Sequence, residues 1–407
     1  MVGAVVVITG ATLAVTRPWA AASPRPDLHG FVHFANAVTF PPLVPSTRTD
    51  SGAMMTLVPD GACPLGLGEI ETDRILPAYW PSGGHCEYFG MTTPNTGEGE
   101  PGSGPASSNF AGSMLTGAVT APDGSLIVIG DYQQRNDYLA ASGQVYSLTS
   151  AGLQLVTQLD PPENADKSWQ DASGQVMFNA VVQAGGTLLI GGKQSTPTSE
   201  GRPKIWTSTD GGKSLDAIDL PVAPNLVAQV QAMAVHGNTV LALGTATADE
   251  RHDTLVGWVS TDQGRTWAAI ATQNFAASLV SGIVFANGQW FAAGDTQGAR
   301  MPEPVVLSSA DAQHWQVTSL PAPDGGGNVT GIAVNREDTP IVVGWTGTPP
   351  SGPHYTITEC GAIWLVSPPA TWTDVNTGCG GATPAGVVTL PDGRVLVASN
   401  HDLWIHP

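Results

Sequence analysis

Residues 281–295, SGIVFANGQWFAAGD, read as an apolar strand, a turn, a second apolar strand and a closing glycine. That is the pattern of a β-hairpin. Five other stretches repeat it: LTGAVTAPDGSLIVIGD at 115–131, NAVVQAGGTLLIGG at 179–192, QAMAVHGNTVLALGT at 231–245, TGIAVNREDTPIVVGW at 330–345 and AGVVTLPDGRVLVAS at 385–399. Counted from Gly130 through Gly191, Gly244, Gly294 and Gly344 to Ser399, the spacings are 61, 53, 50, 50 and 55 residues. A unit of this size holds four strands, which predicts the blades of a β-propeller.

Each of the first five hairpins is followed by a third and a fourth strand, and the link between those two carries a second repeated motif. Ser260-Thr261-Asp262-Gln263-Gly264-Arg265-Thr266-Trp267 is its fullest copy. Ser208-Thr209-Asp210-Gly211-Gly212-Lys213-Ser214-Leu215 puts Leu in place of Trp, and Ser308-Ser309-Ala310-Asp311-Ala312-Gln313-His314-Trp315 is a degenerate third. The pattern resembles the Asp-box, or bacterial neuraminidase repeat, of sialidase-like β-propellers. The resemblance implies an all-β fold of four-stranded antiparallel blades, with six as the preferred count. Seven would require residues 52–90 to form a blade, and MTLVPDGACPL there shows no convincing second strand. The resemblance also places the boxes on the face opposite the substrate pocket, so Asp210 and Asp262 are expected to be structural. Their chemistry agrees, since Asp and Ser side chains bond turn amides, Gly allows a positive φ, and Trp packs between sheets.

The last repeat ends at Pro407 without a fourth strand. The expected organisation is therefore a signal peptide or N-terminal membrane anchor plus linker at 1–27, an irregular segment at 28–113 that supplies the ring-closing strand, and the propeller at 114–407. Val2 to Val15 is apolar and is followed by Ala20-Ala21-Ala22, a small-residue pattern like a signal-peptidase site. No Lys or Arg precedes it.

Composition narrows the function. Gly and Pro make up 82 of 407 residues, which is turn-rich yet below the disorder range, and the 42% hydrophobic share with 12 Trp can fill a sizeable core. Fifteen Lys and Arg against 34 Asp and Glu give a formal net charge of −19, which repels phosphate backbones, so no nucleic-acid partner is expected. Cys63, Cys86, Cys360 and Cys379 form no zinc spacing, and no metal or cofactor is expected. Their even number fits two disulfides in an oxidising compartment. Nearest-neighbour pairing, one of three connectivities, gives Cys63 with Cys86 and Cys360 with Cys379. Asn328-Val329-Thr330 matches the glycosylation acceptor pattern.

Propellers hold ligands where the second-to-third strand loops and the interblade loops converge. The candidates there are Asp131, Tyr132, Arg135, Trp169, Glu250, Arg251, Asp295, Arg300 and Tyr355. Carboxylates, arginines and aromatics together suit a sugar, although single polar loop residues are commonly only solvated. Family members carry an Arg-Ile-Pro near the first blade. The nearest match here, Arg300-Met301-Pro302, falls in the fourth repeat, and none of the tyrosines has the supporting pattern of the family's nucleophile. No catalytic residue is assigned. The resulting expectation is an exported monomer, secreted or anchored outside the membrane, that binds or scaffolds carbohydrate or a cell-envelope protein. The alternative is a carbohydrate-active enzyme, hydrolase or lyase, with its site at the central channel mouth.

Overall fold

The computed structural model describes residues 29–34, 50–55, 62–68, 74–79, 89–92, 112–134, 137–149, 152–161, 174–196, 199–224, 226–247, 253–270, 279–296, 301–322, 326–348, 358–367, 371–379, 383–390, 393–399 and 402–407. β1 is Val32–Phe34, followed by β2 (Asp50–Met55), β3 (Ala62–Gly68), β4 (Arg74–Tyr79) and β5 (Phe89–Thr92). The first repeat forms β6 (Gly112–Thr120), β7 (Leu126–Gln134), β8 (Asp137–Thr149) and β9 (Gly152–Leu159). The second forms β10 (Val176–Ala184), β11 (Thr187–Thr196), β12 (Ser199–Ser208) and β13 (Asp216–Asp219). The third forms β14 (Val227–His236), β15 (Thr239–Thr247), β16 (Asp253–Ser260) and β17 (Ala268–Ile270). The fourth forms β18 (Leu279–Ala286), β19 (Gln289–Thr296), β20 (Glu303–Ser309) and β21 (Gln316–Ser319). The fifth forms β22 (Gly327–Val334), β23 (Pro340–Thr348), β24 (Thr358–Ser367) and β25 (Thr371–Cys379), and the last forms β26 (Gly386–Thr389), β27 (Val395–Ala398) and β28 (Leu403–His406).

Each of the six repeats is a four-stranded antiparallel blade, as their periodicity predicts. In the first five, the strands run outward in chain order. In the last, β1 pairs with β28 as the outermost strand, with Val32 opposite Ile405, His33 opposite Trp404 and Phe34 opposite Leu403. The innermost strands pack side by side in the order β6, β10, β14, β18, β22, β26. The stretch left open as a further blade also forms a four-stranded sheet, in the order β4-β3-β2-β5. Its β4 lies between β26 and β6, so this sheet joins the six repeat blades in one ring.

The second strands read as unbroken apolar runs because both of their faces are covered by neighbouring blades. In β15 every residue between its two ends is buried. The core is therefore divided among the seams. Trp206, Trp258, Trp364 and Trp404, all on third strands, are fully buried there. Two of their indoles are also satisfied across a seam, since Trp258 Nε1 donates to Pro221 O and Trp364 Nε1 to Pro321 O, each at 2.8 Å.

Near the end of the second strand a glycine is required by space. A Cβ on Gly192, Gly244, Gly294 or Gly344 would lie 1.8, 1.8, 2.0 or 2.0 Å from a carbonyl oxygen of the adjacent inner strand. Gly192, and not Gly191, is thus the second repeat's counterpart of Gly244. Opposite these glycines each inner strand of the first five repeats carries a β-bulge, whose extra residue is Thr116, Asn179, Gln231, Ser281 or Thr330.

Cys360 and Cys379 are directly opposed on β24 and β25 and form a disulfide. The Cys63–Cys86 pairing lies outside the described residues, as does the apolar N-terminal segment. Among the described residues no helix is long and apolar enough to cross a membrane.

Candidate functional site

The antiparallel order gives the ring two unlike ends. First-to-second and third-to-fourth turns share one end; second-to-third loops and interblade links share the other.

At the first end the box turns consume their own polar groups. Ser260 Oγ donates to Asp262 Oδ1 at 2.7 Å and accepts the Gly264 amide at 2.8 Å. Asp262 Oδ1 accepts the Thr266 amide at 2.9 Å, and Oδ2 accepts its hydroxyl at 2.6 Å. Trp267 Nε1 closes the turn on Gly264 O at 3.0 Å. Ser208, Asp210, Gly212 and Ser214 reproduce the set at 2.6–3.0 Å. Gln263 and Gly264, like Gly211 and Gly212, have positive φ. The third copy is one residue shorter. Its serine is Ser309, not Ser308, and donates to Asp311 Oδ1 at 3.2 Å. A single left-handed residue, Ala312, makes that turn, and His314 Nδ1 stands 2.8 Å from Asp311 Oδ2. These hydrogen bonds hold Asp262 down to about 2 and Asp210 and Asp311 well below the usual carboxylate range. Such spent, fully ionised carboxylates suit structure rather than proton transfer.

At the opposite end the residue after the strand-two glycine recurs as Asp131, Lys193, Thr245, Asp295 and Trp345. The sequence reading assigns Asp131 and Asp295 to loops. Both are instead strand residues turned into seams, 2% and 1% exposed. Asp131 Oδ1 accepts the Phe178 amide of the next blade at 2.7 Å, and Asp295 Oδ1 accepts the Val329 amide at 2.9 Å. Asp295 Oδ2 also accepts Asn328 Nδ2 at 2.7 Å, so the asparagine of the glycosylation pattern is a β22 residue whose amide is already engaged. Burial nevertheless pushes Asp295 up to about 7, with the bonds from Val329 and Asn328 opposing it. Burial also draws the half-buried Lys193 ammonium down, against the charge of Asp131. Asp402, just before β28, meets His33 Nε2 at 2.8 Å.

Tyr132 continues β7 beyond Asp131 towards this end. Arg135, Trp169, Glu250, Arg251, Arg300 and Tyr355 lie outside the described residues. The sequence reading missed Lys193 and Asn328. Alignment on Gly192 would have exposed the first, while the second shows only through its bond to Asp295. Among the described residues no group of three or more His, Cys, Asp or Glu side chains is placed to hold a metal ion.

No protein-family model and no curated protein matches the chain. Among solved structures it is similar to a Hadza microbial sialidase, with a TM-score of 0.51 and 14% identity over 87% of this chain and 73% of that one. It is also similar to a Trypanosoma rangeli sialidase, with a TM-score of 0.46 and 14% identity over 80% of this chain and 56% of that one. For a Penicillium chrysogenum α-L-arabinanase the TM-score is 0.41 and the identity 15%, over 71% of this chain and 90% of that one. The chain therefore spans little more than half of the Trypanosoma protein. At such identities the likeness is one of fold.

Proposed function

We propose that this chain is a carbohydrate-active β-propeller of the Asp-box kind, exported to an oxidising compartment, with its site where the second-to-third strand loops and interblade links meet. The contrast between the two ends carries this reading. At the box end Asp210, Asp262 and Asp311 are satisfied within their own turns, whereas chain order assigns Tyr132, Arg135, Trp169, Glu250, Arg251, Arg300 and Tyr355 to the second-to-third strand and interblade stretches of the other end. Aromatic faces with a few polar groups on a fixed scaffold suit a sugar. The Cys360–Cys379 disulfide is compatible with export.

A glycan array together with a panel of aryl glycosides and polysaccharides tests the reading. Binding or cleavage is expected, and Trp169→Ala or a Glu250→Gln/Arg251→Ala double change should reduce it. Absence of both binding and cleavage across the panel would sink the reading. A second outcome, binding without turnover, is favoured by the engagement of Asp131 and Asp295 in seams, which leaves neither poised as a free acid–base pair.

A further inference from the structure

The seam between the fourth and fifth blades differs in its polar content. Phe291, Val306, Val329, Ile332, Trp364 and Trp372 form its apolar part. Three carboxyls enter it. Asp295 crosses to Val329 and Asn328 at the loop end. Asp338 crosses to the Asn287 amide at 2.7 Å at the box end. Asp374, on the outer strand β25, is paired with Trp364 and so shares the face that looks toward blade four. Its Oδ1 is buried without a hydrogen-bond partner.

No cation answers them among the described residues of these two blades. Arg336 lies against Gly393 of the last blade, and His314 is paired with Asp311 in its exposed box turn. Glu303 and Glu359 are exposed and fall on the opposite faces of their strands.

We propose that this seam is an acid-closed joint in the ring, tight while Asp295 and Asp374 carry their protons and loosened when they ionise. Asn328 suits both states of Asp295, because an amide can donate through Nδ2 or, turned over, accept a carboxyl proton through Oδ1. Asp374 has no such partner, so its charged form is opposed by desolvation alone. Burial is the leading cause at both sites and holds Asp295 up to about 7 and Asp374 up to about 6. The folded state thus retains protons that the unfolded chain releases near pH 4. The stabilisation is complete below that pH, and is lost progressively up to about pH 6 for Asp374 and about pH 7 for Asp295.

Amide exchange on the intact protein, corrected for intrinsic rates, tests the joint at pH 5 and pH 8. Protection of β22 and β25 should fall about tenfold or more relative to β14, since one unit of pKa shift is a tenfold change in equilibrium. An Asp295→Asn/Asp374→Asn variant should show no such fall. Equal change in β14 and β22, or the same fall in the double variant, overturns the proposal. Should the variant not fold, the infrared carboxylic-acid band of the wild type decides: two carboxyls still protonated at pH 5.5 and ionised by pH 8 are expected, and their ionisation below pH 5 refutes it.

Discussion

Asp131 Oδ1 accepts the Phe178 amide at 2.7 Å, binding the end of one blade's second strand to the bulge of the next blade's inner strand. The bulge frees this amide from its ladder, and a freed buried amide requires an acceptor. Asp295 performs the same task for Val329. Between the third and fourth blades the acceptor comes from the bulge itself, where Gln231 Oε1 takes the Val280 amide at 2.9 Å and Gln231 Nε2 reaches Thr245 Oγ1 at 3.2 Å. The other bulge residues complete the belt. Asn179 Nδ2 donates to Val230 O at 2.8 Å, Ser281 Oγ to Val329 O at 2.6 Å and Thr330 Oγ1 to Pro384 O at 2.9 Å, while Thr116 Oγ1 donates to Phe178 O. Each of the first five repeat blades therefore holds the next by polar bonds at its narrow inner edge and by apolar packing farther out.

Removal of one such acceptor should be costly. Asp131→Ala leaves the Phe178 amide buried without its partner, a loss of about 1–3 kcal/mol. Asp131→Asn keeps an acceptor oxygen and should lose less. Urea denaturation of the pair checks the order; equal losses would show that the acceptor is immaterial.

The strand-two glycines make a sharper prediction. A Cβ at Gly244 would lie 1.8 Å from Gln229 O, a backbone atom that cannot step aside. Gly244→Ala should cost at least ~2 kcal/mol by overpacking and a displaced strand. Gly211→Ala, at φ 76° with nothing within 4 Å, should cost only the backbone strain, about 1 kcal/mol. Thermal melts of the two variants should rank them in that order.

The fold was legible because the second strands are buried on both faces and the box turns demand Ser, Asp and Gly at set spacings. Ala62–Gly68 shows the converse. With Pro64, Gly66 and Gly68 in seven residues, β3 has no apolar run and alternates Cys63, Leu65 and Leu67 only with proline and glycines, so a real strand carries the residues least typical of one. β1 is only three residues long, too short for any period. Two of the candidate residues, Asp131 and Asp295, were read too far outward. Asp131 and Asp295 look like loop residues beside polar neighbours, and only the bulge in the following blade, invisible in a single hairpin, explains why a carboxylate is buried there. The shortened third box misled for a related reason, since two adjacent serines both fit and the turn's hydrogen bonds alone select Ser309.

The box turns should set the acid limit of the ring. Asp262, lowered chiefly by its bond from the Thr266 hydroxyl, stays ionised to about pH 2 in the folded state. The unfolded carboxyl titrates near 3.9. Its contribution is therefore present above about pH 4 and is lost as pH falls toward about 2. Melting temperatures from pH 5 to pH 2 should drop less steeply for Asp262→Asn, which has no proton to gain, than for the wild type. Parallel curves would remove the box from the account of acid unfolding.

The Cys360–Cys379 disulfide closes a sequence separation of 19 residues, enclosing the third-to-fourth turn of the fifth blade. On the loop-entropy model its removal costs about 3 kcal/mol. Because the bridge joins strands already paired in register, Cys360→Ser/Cys379→Ser should still fold. Its urea midpoint should fall while its circular dichroism matches the wild type. Non-reducing peptide mapping that paired Cys360 with Cys63 or Cys86 would contradict the connectivity.

Purified protein should not hydrolyse sialosides, despite its sialidase-like fold. A sialoside carboxylate needs clustered guanidinium groups, each charge-assisted bond contributing about 1.5–3 kcal/mol. The Arg-Met-Pro stretch that comes nearest the family motif leads into β20 of the fourth blade. There Met301 is buried and Pro302 O accepts the Gly327 amide at 2.9 Å, so these two residues are committed to packing against the fifth blade. The described cations at the loop end include Lys193, which is half-buried beside the charge of Asp131, and Arg202, whose guanidinium donates to Pro224 O, in a chain of net charge −19. Among the described residues no cluster of guanidinium groups offsets the repulsion that a chain of this charge exerts on an anionic substrate. A fluorogenic sialoside assay checks this. Turnover that vanished in Arg300→Ala would establish the displaced arginine as a working clamp and overturn the prediction.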